Sequence, residues 1–529
     1  MPFSYHPRRT GRRLLGGAVA LGLLAASCSS GSSHSTATTQ APAGDHPNVV
    51  FILTDDMAMA ELQYMPHVQQ LIGDQGATFD NYFISDTECC PSRTTTLRGQ
   101  YSHNTGVHTN TEADGGFETA HRLGIEDQTV ATQLQSDGYR TALYGKYLNG
   151  YPHTATNWKY VPPGWTEWAS PIQGAISEFN YTLNHDGAKQ VHGSAPEDYA
   201  ADVYTDMSLG YAGRAVQDKA PFFLYYGFYA PHSPSTPAPR HENDFPGLTA
   251  PRTASFDEQD TSDKPAYVQA LSPLPPGEIK TIDTQFALRV RSLQAVDDSV
   301  VKLVGKLKEL GQLDNTYIVF TSDNGYHLGQ HRLPPGKGTP YEEDIKVPMF
   351  IRGPGITPGT HVSTLTGNVD LASTFEDMAG AKPLGFEDGR SMLPLAKNQA
   401  STDGQRQAYL LEHWPDTAPE DEAALRAQAQ TEPSEAIPGG TTPTTTATGL
   451  DFQSLIPKYS GIRTQRYALF EFPTTGEHEL YDLQNDPAEM QNVYGTIDPT
   501  IRDQLTARLH ELETCQADQC RQDDGQATP

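Results

Sequence analysis

Two apolar segments, each followed at once by acidic side chains, constrain the fold of this chain more than any other feature. They are NVVFILT at 48–54, followed by Asp55 and Asp56, and TYIVFTS at 316–322, followed by Asp323 and Asn324. Unbroken apolar runs of this length are typical of central strands in a parallel sheet that is covered on both faces. Because parallel strands end at the same edge of a sheet, the polar side chains are predicted to converge there.

The converging side chains predict a cation site. Three carboxylates and one amide oxygen at close range are unfavourable unless a cation lies between them. The ligands would be Asp55, Asp56, Asp323 and Asn324. Such an oxygen-only set favours Ca²⁺, with Mg²⁺ second because Mg²⁺ takes fewer protein ligands and stricter geometry. The alternative interpretation is a pair of acidic turns or helix caps, since Asp, Asn and Gly are common in loops.

Length and periodicity indicate an α/β protein with two domains. A chain of 529 residues is too long for one ordinary core, so a large domain over 46–395 and a smaller one over 396–529 are predicted. Apolar residues recur at helical spacing from Ile282 to Leu310, which predicts a long helix that covers the sheet and carries no chemistry. The stretch 237–276 is rich in Pro, Asp and Ser and predicts a long surface loop near the site.

The smaller domain is predicted to contain an antiparallel hairpin. Strand-like segments begin at Tyr409 and continue over 461–483. Between them, an insertion at about 415–449 is acidic and then rich in Pro and Thr. A segment of that composition cannot bury a core, so disorder is predicted there.

The amino terminus predicts export. Two arginine pairs precede an apolar run from Leu14 to Ala26, which is too short to span a bilayer but suits a signal peptide over 1–28. The run ends in LAASCSS, which resembles a bacterial lipobox with Cys28 as the lipidated residue, and the arginine pairs resemble a twin-arginine signal. Lipid on Cys28 would hold the protein on the outer face of a bacterial cytoplasmic membrane through a flexible tether over 29–45. Cleavage near Ala26 would instead give a secreted protein.

The net charge limits the choice of partner. A formal charge of −28 disfavours binding to nucleic acid. An acidic surface also repels anionic substrates, so a site for such a substrate needs basic side chains of its own.

The segment CCPSRTTTLRGQYSH, which starts at Cys89, contains the most specific motif. It resembles the signature of the type I sulfatases, in which the first cysteine is oxidised to formylglycine by a formylglycine-generating enzyme. Without that resemblance, the same residues predict only a turn. Pro91 would fix φ, Ser92 would cap a helix, and the two cysteines would pack as small apolar residues.

Three further blocks follow in the order found in the sulfatase family. GKYLNGY contains Lys146, APHSP contains His232, and GKGTPYEEDIKVP contains Lys337. Taken singly, each lysine would be assigned to the solvated surface and the histidine to a loop. Their order, and their position after strand-like segments, favour assignment to an active site.

The resemblance implies an alkaline-phosphatase-like fold: a large mixed, mostly parallel sheet flanked by helices, and a smaller C-terminal α+β domain closed by a helix, here over 499–514. It also implies hydrolysis of aryl or carbohydrate sulfate monoesters to an alcohol and inorganic sulfate. Of the two hydroxyls of a hydrated formylglycine at position 89, one attacks sulfur and displaces the alcohol, and the other expels sulfate. Position 89 also joins the four oxygen ligands around the cation.

The same resemblance implies roles for the remaining residues. Arg93 and Lys146 orient the hydrate and stabilise its charge. Asp323 accepts the proton of the attacking hydroxyl, and either His232 or Lys337 protonates the leaving alcohol.

One position departs from the common pattern of the family. Leu148 stands where many relatives have a histidine two residues after the lysine. The block GKYLNGY, the Cys89-Cys90 pair and the segment DNGYHLGQ together most resemble the glucosamine-6-sulfatase and heparan endosulfatase branch of the family. This resemblance favours sulfated sugars as substrates. Two other functions stay open: a phosphate or phosphonate monoester hydrolase on the same scaffold, and a glycan-binding lipoprotein with Cys89 unmodified.

Two pairs of residues each allow two interpretations. Cys515 and Cys520 are spaced for a local disulfide outside the cytoplasm but fit two reduced thiols equally well. His103 and His327 are candidates for substrate contacts, and the alternative is core or surface packing.

Overall fold

The computed structural model describes residues 46–110, 114–152, 156–172, 177–400, 405–415, 452 and 455–529. The predicted signal peptide over 1–28, the tether over 29–45 and nearly all of the insertion predicted at 415–449 lie outside these residues. The described residues belong to one compact unit that spans 42–529. Among them, no helix combines the length and the apolar character that crossing a membrane would require.

A mixed sheet of ten strands forms the centre of the molecule, in the order β11-β2-β10-β9-β1-β8-β4-β5-β6-β7. The strands up to residue 367 are β1 (Asn48–Asp55), β2 (Ala77–Phe79), β3 (Tyr82–Phe83), β4 (Arg140–Gly145), β5 (Glu167–Pro171), β6 (Thr182–His185), β7 (Ala188–Val191), β8 (Phe222–Pro231), β9 (Thr316–Ser322), β10 (Phe350–Arg352), β11 (Thr360–Val362) and β12 (Thr366–Gly367). The five strands from β9 to β5 are parallel, whereas β10 is antiparallel to both of its neighbours. β3 and β12 form a separate parallel pair.

The two apolar segments of the sequence are adjacent central strands, as predicted. β1 lies between β9 and β8, so that Val50 is opposite Ile318 on one side and Leu224 on the other. Every residue of these three strands is buried. Burial on both faces is the reason that the strands lack alternation between polar and apolar residues.

Helices cover both faces of the sheet. They are α1 (Pro66–Val68), α2 (Cys89–Arg98), α3 (Ser102–Thr105), α4 (Gly116–Arg122), α5 (Val130–Ser136), α6 (Ala200–Gln217), α7 (Ala266–Gln269), α8 (Pro276–Glu309), α9 (Glu342–Ile345), α10 (Leu371–Ala379), α11 (Leu393–Ala396), α12 (Pro499–Leu512) and α13 (Asp518–Asp523). Single 3₁₀ turns lie at Met59–Tyr64, Ile125–Asp127, Pro196–Asp198, Pro239–His241, Leu313–Asn315 and Asn368–Asp370. On one face α6 and α8 bury residues such as Leu293, and on the other α5 and α10 bury Leu134 and Phe375.

The long helix α8 confirms the periodic pattern that began at Ile282. It starts earlier than predicted because Pro275 and Pro276 occupy the cap and the first turn, where no backbone N–H needs a partner. The stretch predicted as a loop over 237–276 connects β8 to α8 and contains the short helix α7.

The smaller C-terminal part is an antiparallel sheet of four strands, β13 (Ala408–His413), β14 (Tyr459–Thr464), β15 (Tyr467–Phe472) and β16 (Glu477–Asp482). Its core includes Leu505, Leu509 and Leu512 of α12, so the predicted closing helix is present. Cys515 and Cys520 form a disulfide, which decides between the two interpretations of this pair.

Candidate active site

All of the predicted catalytic and metal-binding side chains gather at one edge of the large sheet. Four neighbouring strands of the sheet end at this edge, in the order β9, β1, β8 and β4. Asp323 and Asn324 follow β9, Asp55 and Asp56 lie at the end of β1, His232 follows β8, and Lys146 follows β4. Cys89 and Arg93 lie in the first turns of α2, and Lys337 lies in the loop before α9. The parallel topology is what brings together residues so far apart in the chain.

Cys89 lies at the centre of this group and is fully buried. Its Sγ is 2.8 Å from Lys337 Nζ, 3.4 Å from Asp55 Oδ1 and 3.8 Å from Asp56 Oδ1. Burial, followed by the charge of Asp55, raises the pKa of the Cys89 thiol well above its ordinary value, although Lys146 and Lys337 oppose the shift. An unmodified Cys89 is therefore a protonated thiol, which is a weak nucleophile.

Basic side chains hold the carboxylates of the site. Lys146 Nζ is 2.7 Å from Asp55 Oδ2, and Lys337 Nζ is 2.6 Å from Asp56 Oδ1. Arg93 Nε donates to Asp323 Oδ2 at 2.8 Å. The acidic surface of the protein repels an anionic substrate. The positive charges of these three side chains offset that repulsion at the site.

The three carboxyl groups are not equivalent. Burial raises the pKa of Asp323 to about 6, and the nearby Asp55 adds to the shift while Arg93 opposes it. Burial also disfavours ionisation of Asp56, but Lys337 and His232 outweigh it and lower the pKa of that carboxyl below its ordinary value. The negative charges of Asp55 and Asp323 thus repel each other, and a cation bound between the carboxylates would relieve that repulsion.

The donor atoms of the site fit a hard divalent cation. Among the described residues, Asp56 Oδ2 and Asn324 Oδ1 are buried and have no hydrogen-bond partner. Asn324 directs its Nδ2 to Asp56 Oδ1 at 2.7 Å, which fixes the amide so that its oxygen remains available. Ligand atoms of Asp55, Asp56, Cys89 and His232 all lie within 4.8 Å of one another. Carboxylate and amide oxygens are the ligands that such cations prefer.

One buried residue that supports the site is missing from the sequence prediction. Arg289 on α8 donates to the backbone oxygen of Asp56, and its Nε is 2.6 Å from Glu61 Oε1. The prediction that this helix carries no chemistry is therefore incomplete, because α8 positions a strand end that carries site residues. An arginine at helical spacing from Phe286 and Leu293, inside an apolar stripe, is the feature that would have revealed it.

Three other positions considered in the sequence analysis, His103, His327 and Leu148, contact other parts of the protein. His103 bridges Glu412 Oε1 at 2.7 Å and the Cys515 backbone oxygen at 2.9 Å. His327 Nδ1 lies 3.0 Å from both carboxylate oxygens of Asp344. Leu148 is buried in the apolar core, so the position that holds a histidine in many relatives contributes no polar group here.

Comparison with known proteins agrees with this arrangement. The Sulfatase family model matches residues 47–381, and the model for the C-terminal part of N-sulphoglucosamine sulphohydrolase matches residues 451–515. The chain is 39% identical to the extracellular sulfatase SULF-1 homolog of Drosophila melanogaster over 69% of this chain, although it spans only 33% of that relative. It is 34% identical to the N-acetylglucosamine-6-sulfatase of Homo sapiens, over 90% of this chain and 86% of the relative.

A solved structure shares the fold. It is a protein in complex with its substrate D-glucosamine-2-N,6-O-disulfate, with a TM-score of 0.71 and 24% identity over 91% of this chain and 99% of the other. The Sulfatase family model, which matches well over half of the chain, and the 34% identity to the human N-acetylglucosamine-6-sulfatase assign the chain: it belongs to the sulfatase family.

Proposed function

We propose that this protein hydrolyses sulfate monoesters to an alcohol and inorganic sulfate. The observation that carries the proposal is the position of Cys89, whose Sγ is enclosed between Lys337 Nζ and the carboxylates of Asp55 and Asp56. A structural cysteine gains nothing from such charged neighbours, whereas a nucleophile formed at this position needs them.

The residues around position 89 would bind and orient the sulfate group. Formylglycine formed from Cys89 supplies, as its hydrate, one hydroxyl that attacks sulfur and a second that expels sulfate. Asp55, Asp56, Asp323 and Asn324 would hold a divalent cation that offsets the charge of the substrate. Arg93 is held by Asp323 and by the Lys146 backbone oxygen, so its guanidinium keeps a fixed orientation towards the reacting group.

Two side chains are placed to protonate the leaving alcohol. His232 Nδ1 lies 2.8 Å from the Ser233 backbone oxygen, which can only accept, so Nδ1 carries a hydrogen. His232 Nε2 then faces Asp56 Oδ2 at 3.6 Å and can hold the transferable proton. Lys337 Nζ, between Asp56 and Cys89, is the second candidate donor.

Ca²⁺ is the cation that we propose, because the donor set consists of carboxylate and amide oxygens and Mg²⁺ usually keeps several waters. For the substrate we propose a 6-sulfated glucosamine residue within a glycan. The similarity to an N-acetylglucosamine-6-sulfatase over most of both chains supports this choice. An arylsulfate would then serve as a poorer substrate with a better leaving group.

Mass spectrometry and a substrate panel test the function. The peptide that contains position 89 should be lighter than the thiol form by the mass difference between cysteine and formylglycine, and Cys89→Ala should fold but lose multiple turnovers. The mature protein should hydrolyse glucosamine 6-sulfate and aryl sulfates faster than the matching phosphates or phosphonates, and lose activity with a Ca²⁺ chelator. Faster cleavage of phosphonates would establish the alternative hydrolase. An unmodified thiol with no turnover would leave a glycan-binding protein.

We also propose export and anchoring through lipidated Cys28. The lipobox-like sequence supports this location, and extracellular sulfatases occur among the relatives. The bacterial host would also need a formylglycine-generating enzyme. Membrane fractionation of wild-type and Cys28→Ala protein tests the anchor, because the variant should move from the membrane fraction to the soluble or secreted fraction.

A further inference from the structure

A second group of metal-ligating side chains lies apart from the active site. It consists of His331, Glu343 and Glu489, whose ligand atoms all lie within 4.8 Å of one another. His331 follows β9, Glu343 lies on α9, and Glu489 comes from the C-terminal part after β16. None of these residues belongs to the predicted catalytic or cation-binding set.

The histidine of this group is oriented as metal ligands usually are. His331 Nδ1 lies 2.6 Å from Glu258 Oε2. A carboxylate that accepts from one ring nitrogen fixes the tautomer and leaves the other nitrogen as an acceptor, which is the common arrangement behind a metal-binding histidine. His331 is fully buried and stacks on Tyr341, with ring centroids 4.2 Å apart, so the ring cannot easily turn away.

Two polar atoms of the group lack hydrogen-bond partners. Among the described residues, His331 Nε2 and Glu489 Oε1 are buried and make no hydrogen bond. The other oxygen of Glu489 accepts from the Glu342 backbone N–H at 2.9 Å, which fixes the carboxylate. Glu343 accepts from Ser255 Oγ at 3.2 Å. Buried polar atoms without partners are rare and require an explanation, such as an ion.

We propose that His331 Nε2, Glu343 and Glu489 bind a second divalent cation, of the first-row type represented by Zn²⁺. One imidazole nitrogen and two carboxylates suit Zn²⁺ better than Ca²⁺, which prefers oxygen ligands alone. Such an ion binds its ligands at about 2.0–2.2 Å, so ligand atoms around it lie roughly 3–4.4 Å apart. The ligand atoms of the group all lie within 4.8 Å of one another, so small movements of the side chains would bring them into that range.

The surroundings fit an ion rather than an accidental cluster of acids. The group brings two carboxylates within 4.8 Å of each other beside the buried imidazole of His331, an arrangement of like charges that a cation between them would relieve. A cavity of 730 Å³ is lined by Glu258 and by Met490, which are the histidine's partner and the neighbour of Glu489. The cavity thus adjoins two residues that flank the group.

The ion would tie the two parts of the molecule together. Its ligands come from the segment between the active-site residues Asn324 and Lys337, from the helix just after Lys337, and from the C-terminal part. The site therefore has a structural role that is separate from the proposed catalytic cation, and it does not depend on the proposed hydrolysis.

Zinc uptake by the mature protein tests the proposal. Stripped protein is dialysed against Zn²⁺ with Ca²⁺ in large excess, and bound zinc is counted by mass spectrometry. Wild type should retain one Zn²⁺ more than Glu489→Gln or His331→Ala. Glu258→Gln should keep the site but weaken it by about 10- to 100-fold, since it alters only the partner of the histidine. Asp323→Asn is the control and should retain the zinc.

Glu489→Gln guards against a folding defect, because glutamine is of the same size and can still accept from Glu342. Anomalous diffraction at the zinc edge should place the ion about 2.1 Å from His331 Nε2. Equal zinc uptake by wild type and Glu489→Gln overturns the proposal. Absence of zinc from wild type also overturns it.

Discussion

Arg289 is the residue whose replacement tests the supporting structure of the active site most directly. Its guanidinium and the carboxylate of Glu61 are both fully buried, with contacts of 2.6 and 3.1 Å, and its carbon Cζ lies 3.9 Å from the centre of the Tyr326 ring. Arg289→Met keeps a long unbranched chain but removes the charge and the donor to the Asp56 backbone oxygen.

The expected loss of stability is large because the change strands a buried charge. Removing one partner of a buried ion pair costs about 3–5 kcal/mol. In the double variant with Glu61→Gln no charge is stranded, and the glutamine oxygen can still accept from the Ala58 N–H. The two changes should therefore couple by about 2–3 kcal/mol.

The loss should also depend on pH. Burial raises the pKa of Glu61 even with Arg289 present, and removal of Arg289 raises it further. A carboxyl with a raised pKa in the folded state stabilises the fold at low pH, and that stability is lost as pH rises through the folded pKa. The free energy of unfolding that Arg289→Met loses relative to wild type should thus be small at pH 5 and reach its full value at pH 8.

Urea unfolding at both pH values measures these quantities for wild type, Arg289→Met and the double variant. The reasoning is refuted if, at pH 8, the single variant loses less than about 1 kcal/mol or the double variant is as unstable as the single one. A deficit that is larger at pH 5 than at pH 8 would refute the charge argument. Activity should fall with Arg289→Met at constant metal concentration, because the end of β1 loses a fixed contact.

Three more changes follow from single contacts. Lys337→Met should lower kcat by about 10²- to 10³-fold in steady-state assays, while Lys346→Met, at a partly exposed lysine, should not; equal effects would contradict the role of Lys337. Replacing Cys515 and Cys520 by serine should cost about 2 kcal/mol, seen as faster proteolysis of the C-terminal segment, and unchanged cleavage rates would contradict this. Burial raises the pKa of Glu479 to about 7, so the melting temperature of wild type should fall from pH 5 to pH 8, and that of Glu479→Gln should fall less. Parallel curves of melting temperature against pH for the two proteins would rule this out.

The sequence predicted the central strands well because burial on both faces leaves an unambiguous pattern. The runs at 48–54 and 316–322 contain no charged residue, and both are parallel strands in register with each other. The convergence of Asp55 and Asp323 then follows from topology alone. The family motif added Cys89, Lys146, His232 and Lys337, which no periodicity could have placed together.

Other features depended on contacts that local sequence does not encode. Arg289 looked like an interruption of an apolar stripe, and only the position of Glu61 explains it. The group of His331, Glu343 and Glu489 draws on three separate segments, and no spacing rule links them. The state of Cys515 and Cys520 was open because the same spacing suits a disulfide or two thiols.

The burial of Cys89 fixes the order of events during biosynthesis. Its side chain has no exposed surface, and Lys337, which comes much later in the chain, lies against its sulfur. No enzyme can reach that sulfur once the segment after β9 has closed over it. The proposed oxidation of Cys89 would therefore have to occur on the nascent or unfolded chain. Along a twin-arginine route, which carries folded proteins, it would have to be finished before the protein leaves the cytoplasm.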